Sequence, residues 1–594
     1  MKLKKLLCLL LCLLFVMGSV VSCAKDETPE DSGSTPPAED NGGDNAGAAV
    51  SEFLDIAKDG VVADVVYSMD AGSDIIKSVN SLITTLKSIT GVSMMPKAVT
   101  GKADPDKVEI VVGDTDYEES KQVFAEVGYG EGIIKVVGNK VIVAAYDTNS
   151  YNKALSRFSI ALNNGKYGEG NKNIRIEKTY SVNVAEIEEV AELPLVKNQA
   201  PADIKNAGDG CYVLTFDNST TANVNGYLTT LTESGYTKHA SKQIDNNTYY
   251  TYQNGTHVIT VAYTDYNDEM KIMIEKLSNT GLAPTAEQNV WTPVTGMTST
   301  VTQVGLYYDY GETSKETYVN GMSYVVRLKD GSFILVDGGH NTPEVGERLY
   351  NVMKKQAPDP DNIVIAAWLF SHGHGDHTGF FSQFCENYAD KVTVERFIYN
   401  FPSAGEINDN GTDTMSALLG RYFPNTPSIK SHPGQVYHLR NAELTVLYTN
   451  DLYEYRTMNL ETSNEISMVF QISLEGKKFM VLGDYYYTGP LLKLYSNATL
   501  KSDIMQVTHH GISHNSLALC EAIAPEYALW PVGAETTMYS PGNNITTYQA
   551  NSYMKNSMDA DKVFLARDDV VVLTLNSGTI SAQKFEDYTA YMNS

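Results

Sequence analysis

Positive charge, cysteine and long apolar runs are all scarce in this sequence, and each shortage excludes something. Lys and Arg total 45 against 72 Asp and Glu, giving a formal net charge of −27. A chain this acidic repels polyanions at long range, which counts against nonspecific nucleic-acid binding and leaves only a local basic groove as a route to it. There are 6 cysteines. Cys8 and Cys12 lie in an N-terminal apolar run, Cys23 follows it, and Cys211, Cys385 and Cys520 stand far apart. That spacing is neither a disulfide framework nor a thiolate metal site, and the last three read as buried small apolar residues. The apolar run Leu6 to Val21 is shorter than the ~20 residues that span a bilayer, and no later segment is apolar enough to do so.

The first residues instead read as an export signal. Lys2, Lys4 and Lys5 precede the apolar run, and "VVSC" ends it at Cys23. This resembles a lipobox, after which a bacterial lipoprotein is cleaved and its cysteine acylated. Residues 1–23 are thus expected to be a lipoprotein signal peptide, with Cys23 holding the protein by lipid on the extracellular face of the cell membrane. Residues 24–50, acidic and rich in Pro, Gly and Ser, cannot bury a core and read as a disordered tether.

With 594 residues, several domains are expected. Residues 51–190 read as a small α/β module. "VEIVVG" is a buried strand, "GIIKVVGNKVIVAAYD" a hairpin turning at Gly138-Asn139, and "SYNKALSRFSIAL" a helix. "LPLVKNQAPADIKNAG" reads as a linker. A second α/β module spans residues 205–285, with strands at "CYVLTF", "TYYTYQ" and "HVITVAY", a helix around "TTANVNGYLTTLTESG" and a closing helix at "YNDEMKIMIEKL". Neither module shows a nucleophile, an acid pair or a phosphate loop. In residues 295–594, "YVVRLKDGSFILVDGG" is a hairpin through Asp330-Gly331, and "NIVIAAWLF", "AELTVLYT", "ISMVFQISLEGKKFMVLGD", "SDIMQVTHH" and "EYALWPVG" supply further strands. Strands ending in reactive loops, mixed with helices, predict a layered α/β sandwich.

Histidine is also sparse, 11 in the whole chain, yet three fall in "SHGHGDHTG" directly after the strand "NIVIAAWLF". In His372-x-His374-x-Asp376-His377 the alternate spacing lets the first two imidazoles point one way from an extended loop, while Asp376 and His377 turn to a neighbouring position. Imidazole and carboxylate at this density suit zinc, with manganese or iron as rivals.

This signature resembles the metallo-β-lactamase superfamily of hydrolases, and other motifs follow in the same order. "ILVDGG" matches the strand whose aspartate, Asp337, orders the metal loop. "FMVLGD" matches the strand ending in a bridging aspartate, Asp484. "IMQVTHHG" matches the strand ending in a ligand histidine, with His509 and His510 both candidates. Within the superfamily, Asn464-x-x-Ser467, then Gly-Asp, then His-His-Gly resembles the hydrolase domain of the ComEC competence protein. Two positions depart from that pattern: Ile512 stands where serine is usual, and "MYSPGNN" echoes a Tyr-Gly-His-Pro motif without its histidine. His432 and His438 lie before a strand, away from an expected ligand position, and read as ordinary residues.

The resemblance implies an αβ/βα sandwich preceded by the two small modules. It also implies two divalent metal ions, Zn2+ or Mn2+. His372 and His374 would hold one. Asp376 and His377, with His509 or His510, would hold the other. Asp484 would bridge them, and Asp376 would orient the attacking water. The expected activity is hydrolysis of an ester-like bond, a phosphodiester foremost, in a small-molecule or polymer substrate outside the cell. A ComEC-like nuclease and a catalytically decayed lipoprotein that binds envelope or glycan are the alternatives.

Overall fold

In the computed structural model the described residues are 52–305, 321–341, 343–403, 407, 412–486, 489–532, 545–566 and 570–594. The expected export signal, Cys23, the tether and "MYSPGNN" lie outside them. Among the described residues no helix is long and apolar enough to cross a membrane. Phe53–Ser594 forms one compact unit.

The N-terminal part is a mixed six-stranded sheet in which Glu109–Val112 runs parallel to Asp64–Ser68 and Lys140–Ala145. The hairpin Glu131–Val137 and Lys140–Ala145 closes at Gly138-Asn139, with Val137 opposite Lys140. Helices Ser73–Thr90 and Thr148–Asn164 bury Val79, Leu82, Ala154 and Phe158 against the sheet.

The next part is an antiparallel six-stranded sheet, and here two sequence expectations are corrected. The stretch read as a linker ends in a strand, Asp203–Gly208, which pairs with Cys211–Phe216. The closing helix expected at "YNDEMKIMIEKL" is instead the strand Glu269–Lys276, held between Cys211–Phe216 and His257–Thr264. The reason is two-sided burial. Met270, Ile272 and Ile274 pack with Val224, Tyr227 and Leu231 of helix Thr221–Glu233, while Met273 faces the neighbouring domain's core. An apolar run buried on both faces carries no periodicity that separates strand from helix.

The C-terminal part is a two-sheet sandwich. One sheet runs in the order Ser428–Lys430, Phe397–Tyr399, Ile363–Leu369, Phe333–Asp337, Ser323–Arg327, Ser299–Val304, Val570–Asn576, Thr579–Phe585. The other runs Val436–Leu439, Ala442–Tyr448, Val469–Leu474, Lys477–Val481, Ile504–Gln506, Tyr527–Trp530, Val563–Leu565. Val326, Ile334 and Leu369 of the first meet Leu444, Phe470, Val481 and Leu529 of the second in one core. Helices cover the outer faces: Val345, Leu349 and Phe384 lie on the first sheet, and Leu519, Ile523 and Met554 on the second. This is the expected αβ/βα sandwich with small α/β modules before it.

Candidate metal centre

Parallel strands of both sheets end at one edge of the sandwich, where their chains must turn and expose polar backbone, and the predicted site residues collect there. Phe333–Asp337 and Ile363–Leu369 are parallel neighbours, and so are Lys477–Val481 and Ile504–Gln506. Their ends carry Asp337, Ser371, Asp484 and the His509-His510 pair.

Asp337 organises the histidine loop. It is fully buried, with φ of 52°. Its Oδ1 accepts the Ser371 backbone N–H at 2.7 Å, and its Oδ2 accepts both the Ser371 hydroxyl and the His377 Nδ1–H at 2.7 Å. Behind it, the buried Trp368 indole donates to the Asp337 carbonyl at 3.2 Å, braced by the rings of Phe370, Phe380, Phe381 and Phe384. Burial pushes the Asp337 carboxyl up from its ordinary value, against the pull of His377 and Ser371.

The proton layout follows from these bonds. Because the Ser371 hydroxyl donates to Asp337, its oxygen accepts the His372 Nδ1–H at 3.1 Å, leaving His372 Nε2 as a lone pair. His377 spends Nδ1–H on Asp337, and His510 donates Nδ1–H to the Pro531 carbonyl at 2.7 Å. Three imidazoles thus anchor Nδ1 outward and turn Nε2 inward, the arrangement that metal-ligating histidines adopt.

The inward atoms fall into two groups sharing one carboxylate. Asp376, His377, Asp484 and His510 offer donor atoms within 4.8 Å of one another, and so do His372, His374 and Asp484. Asp484 Oδ1 lies 3.2 Å from His377 Nε2, and its Oδ2 lies 3.5 Å from His510 Nε2 and 3.7 Å from His372 Nε2. His510 Nε2 is 3.0 Å from Asp376 Oδ2. His509 joins neither group, its Nε2 lying 3.7 Å from Oδ2 of Asp484, the carboxylate that both share. The Asn464 amide donates to that nitrogen at 3.2 Å, and Ser513 Oγ lies 2.8 Å from His509 Nδ1.

Both rings of the His-His pair can face the site because both residues are left-handed, with φ of 45° and 53°. Each such turn costs a residue with a Cβ roughly 1–2 kcal/mol, so it needs support. The His509 N–H bond to the Gly483 carbonyl at 3.1 Å and the Trp530 indole bond to the His510 carbonyl at 2.9 Å provide it.

The electrostatics are those of a cavity built for cations. Burial pushes Asp484 up, but His377, His510 and His509 outweigh it and hold the carboxyl well below its usual range. Asp376 is likewise held low, burial being overcome by His377 and His510. His510 is pushed up to about 9, against burial, by Asp484 and by hydrogen bonds to Asp376 and Asp484. Burial, joined by the charge on His377, keeps His372 well below its ordinary value and therefore neutral. His372 Nε2 is buried with no hydrogen-bond partner, and the buried Asp484 Oδ1 has the His377 imidazole 3.2 Å away. Donor atoms in that state fit divalent metal ions.

Some contributors carry no strong sequence signal. The Pro531 carbonyl, Thr462 (3.3 Å from His374 Nε2) and the Tyr486 ring stacked on His514 surround the groups. A carbonyl belongs to every residue, so Pro531 offers no signal in the sequence. His514, at 3.4 Å from His509 Nδ1, sits at the rim. Replacing Asp337 with Asn should lower metal affinity about 10–100-fold while the fold persists, because the His377 orientation weakens but the shape is kept. Competition with a chromogenic chelator would measure this, and an unchanged affinity would deny Asp337 the orienting role.

Residues 317–529 match the Metallo-beta-lactamase superfamily. The structure is similar to the metallo-beta-lactamase fold protein YhfI from Bacillus subtilis, at 12% identity, covering 48% of this chain and 100% of that one, with a TM-score of 0.30. It is similar to the metallo hydrolase Igni18 from Ignicoccus hospitalis, at 14% identity, 48% and 100% coverage and a TM-score of 0.26. A third is CmlA, a diiron beta-hydroxylase from Streptomyces venezuelae, at 14% identity, 40% and 45% coverage and a TM-score of 0.27. None of these likenesses assigns an activity, and no curated protein matches the sequence. Residues 317–529 are a metallo-beta-lactamase superfamily domain.

Proposed function

We propose that this protein is a metal-dependent hydrolase, held on the extracellular face of the cell membrane by lipid on Cys23, that cleaves an ester-like bond, foremost a phosphodiester. The observation that carries this reading is the sharing of one buried carboxylate, Asp484, by two separate groups of metal-ligating side chains. His372 and His374 would hold one ion and Asp376, His377 and His510 the other. The nitrogen and oxygen donors favour Zn2+, with Mn2+ as the rival. Ions held there supply Lewis acidity and lower the pKa of water.

The chain's own groups divide the remaining work. The Asp484 side chain is 2% exposed and the Asp376 side chain 23%. Asp484 therefore serves as the floor of the site, and Asp376 meets the solvent. Asp376 orients the attacking water and takes its proton as the water oxygen bonds to phosphorus and the leaving oxygen departs. His509, steadied by Asn464, adds an imidazole beside Asp484.

The test is hydrolysis of bis(4-nitrophenyl) phosphate and of single-stranded DNA by the full chain loaded with Zn2+ or Mn2+. Cleavage of the small diester supports the reading. Cleavage of DNA alone makes the protein a nuclease, which its net charge of −27 opposes. If neither is cleaved and no metal binds, the envelope-binding reading replaces it.

A further inference from the structure

Away from that edge, the antiparallel module and the sandwich meet through a second buried group of polar side chains. Tyr212 pairs with Ile274 across strands Cys211–Phe216 and Glu269–Lys276. The next antiparallel position sets Cys211 opposite Glu275, with both side chains on one face. His432 reaches them from the sandwich, in the turn after Ser428–Lys430. Cys211, Glu275 and His432 are all buried, and their Sγ, carboxylate and imidazole donor atoms lie within 4.8 Å of one another. Of the three cysteines in the described residues, Cys211 alone falls in such a group.

We propose that Cys211, Glu275 and His432 form a divalent-metal site of the zinc class, distinct from the Asp484-centred pair, that ties the antiparallel module to the sandwich.

The His432 ring is held as metal-binding histidines are held. Its Nδ1 lies 2.8 Å from Asp451 Oδ2, and that oxygen also accepts the Asn400 amide at 2.8 Å and the Thr449 hydroxyl at 2.6 Å. A carboxylate fixed on Nδ1 orients Nε2 toward the other two donors. Nε2 lies 2.8 Å from Glu275 Oε2. Glu275 Oε1 is buried with no hydrogen-bond partner, although Glu275 is only 2% exposed. A buried carboxylate oxygen left bare is costly, and a cation beside it removes that cost.

One sulfur, one nitrogen and one carboxylate oxygen make a donor set that zinc accepts. Bonds of about 2.0–2.3 Å put neighbouring donors of a tetrahedron roughly 3.3–3.8 Å apart. Donors within 4.8 Å reach that spacing with small side-chain adjustments. On binding, the ion takes the places of the Cys211 thiol proton and the His432 Nε2 proton, and both protons leave to solvent.

The catalytic groups hold only nitrogen and oxygen donors, so sulfur is the diagnostic. The full chain loaded with Co2+ and desalted should show thiolate-to-cobalt absorption in the near ultraviolet. That absorption should persist in Asp484→Ala and vanish in Cys211→Ser, which should also hold one ion fewer per chain. Zinc X-ray absorption of the wild type should independently show a sulfur neighbour, so the outcome does not depend on how the variant folds. Absence of both signals in the wild type, or survival of the cobalt band in Cys211→Ser, overturns the proposal. Loss of the catalytic ions alone leaves it standing.

Discussion

Replacing Asp484 with Ala should release at least one metal ion from the Asp337 edge and lower phosphodiester hydrolysis by more than about 100-fold. Removing a partner that merely orients a ligand costs about 10–100-fold in affinity or activity. Asp484 belongs to both donor groups, so its loss strikes both at once. Its carboxylate also neutralises the imidazoles around it. His377 and His510 are both raised against burial, with Asp484 the first charge to favour their protonated forms. Without it, the charge on His510 is offset by Asp376 and that on His377 by Asp337 and the more distant Asp376. Asp484→Asn should lose the metal while keeping the shape, separating ligation from packing. Elemental analysis of wild type and both variants decides the matter. Full metal occupancy in Asp484→Ala would sink the shared-ligand reading.

Gly511→Ala should be strongly damaging, costing about 2–5 kcal/mol and the placement of His510 with it. Two terms combine. Gly511 has φ of 66°, where an L side chain costs about 1–2 kcal/mol. Its added Cβ would fall on the Trp530 indole, and overpacking of this kind costs typically 1–3 kcal/mol. Trp530 cannot retreat. It is fully buried, its indole donates to the His510 carbonyl at 2.9 Å, and the Gly511 carbonyl accepts the Asn551 amide at 2.6 Å. Gly578 is the control, because it has φ of 84° with nothing within 4 Å of an added Cβ. Gly578→Ala should show the conformational cost alone. Urea denaturation midpoints of the two variants against wild type test this. Equal shifts would mean that the Trp530 contact has no weight.

Much of the C-terminal architecture is legible in the sequence. The hairpin through Asp330-Gly331, the apolar strand before Ser371 and the strand leading to Asp484 follow from local pattern and turn chemistry, which act over a few residues. His372, His374, Asp376 and His377 announced themselves because four donors lie within six positions and no fold is needed to bring them close. Their chemistry could be read from residue type alone.

What stayed hidden was set by contacts between distant segments. Periodicity could not type Glu269–Lys276, since a strand buried on both faces shows none. Adjacency could not separate His509 from His510. Two successive left-handed residues turn both rings inward, and the Gly483 carbonyl and Trp530 hold them there, so that His510 joins Asp376 and His377 while His509 stands by Asn464. His432 read as an ordinary residue because its partners, Glu275 and Cys211, belong to another module. The sequence by itself determined which strands form and which residues bring metal-binding chemistry, because those depend on side-chain type and short-range backbone preference. Only the tertiary structure decided which donors share a cavity, because register and sheet packing join residues that no local pattern links.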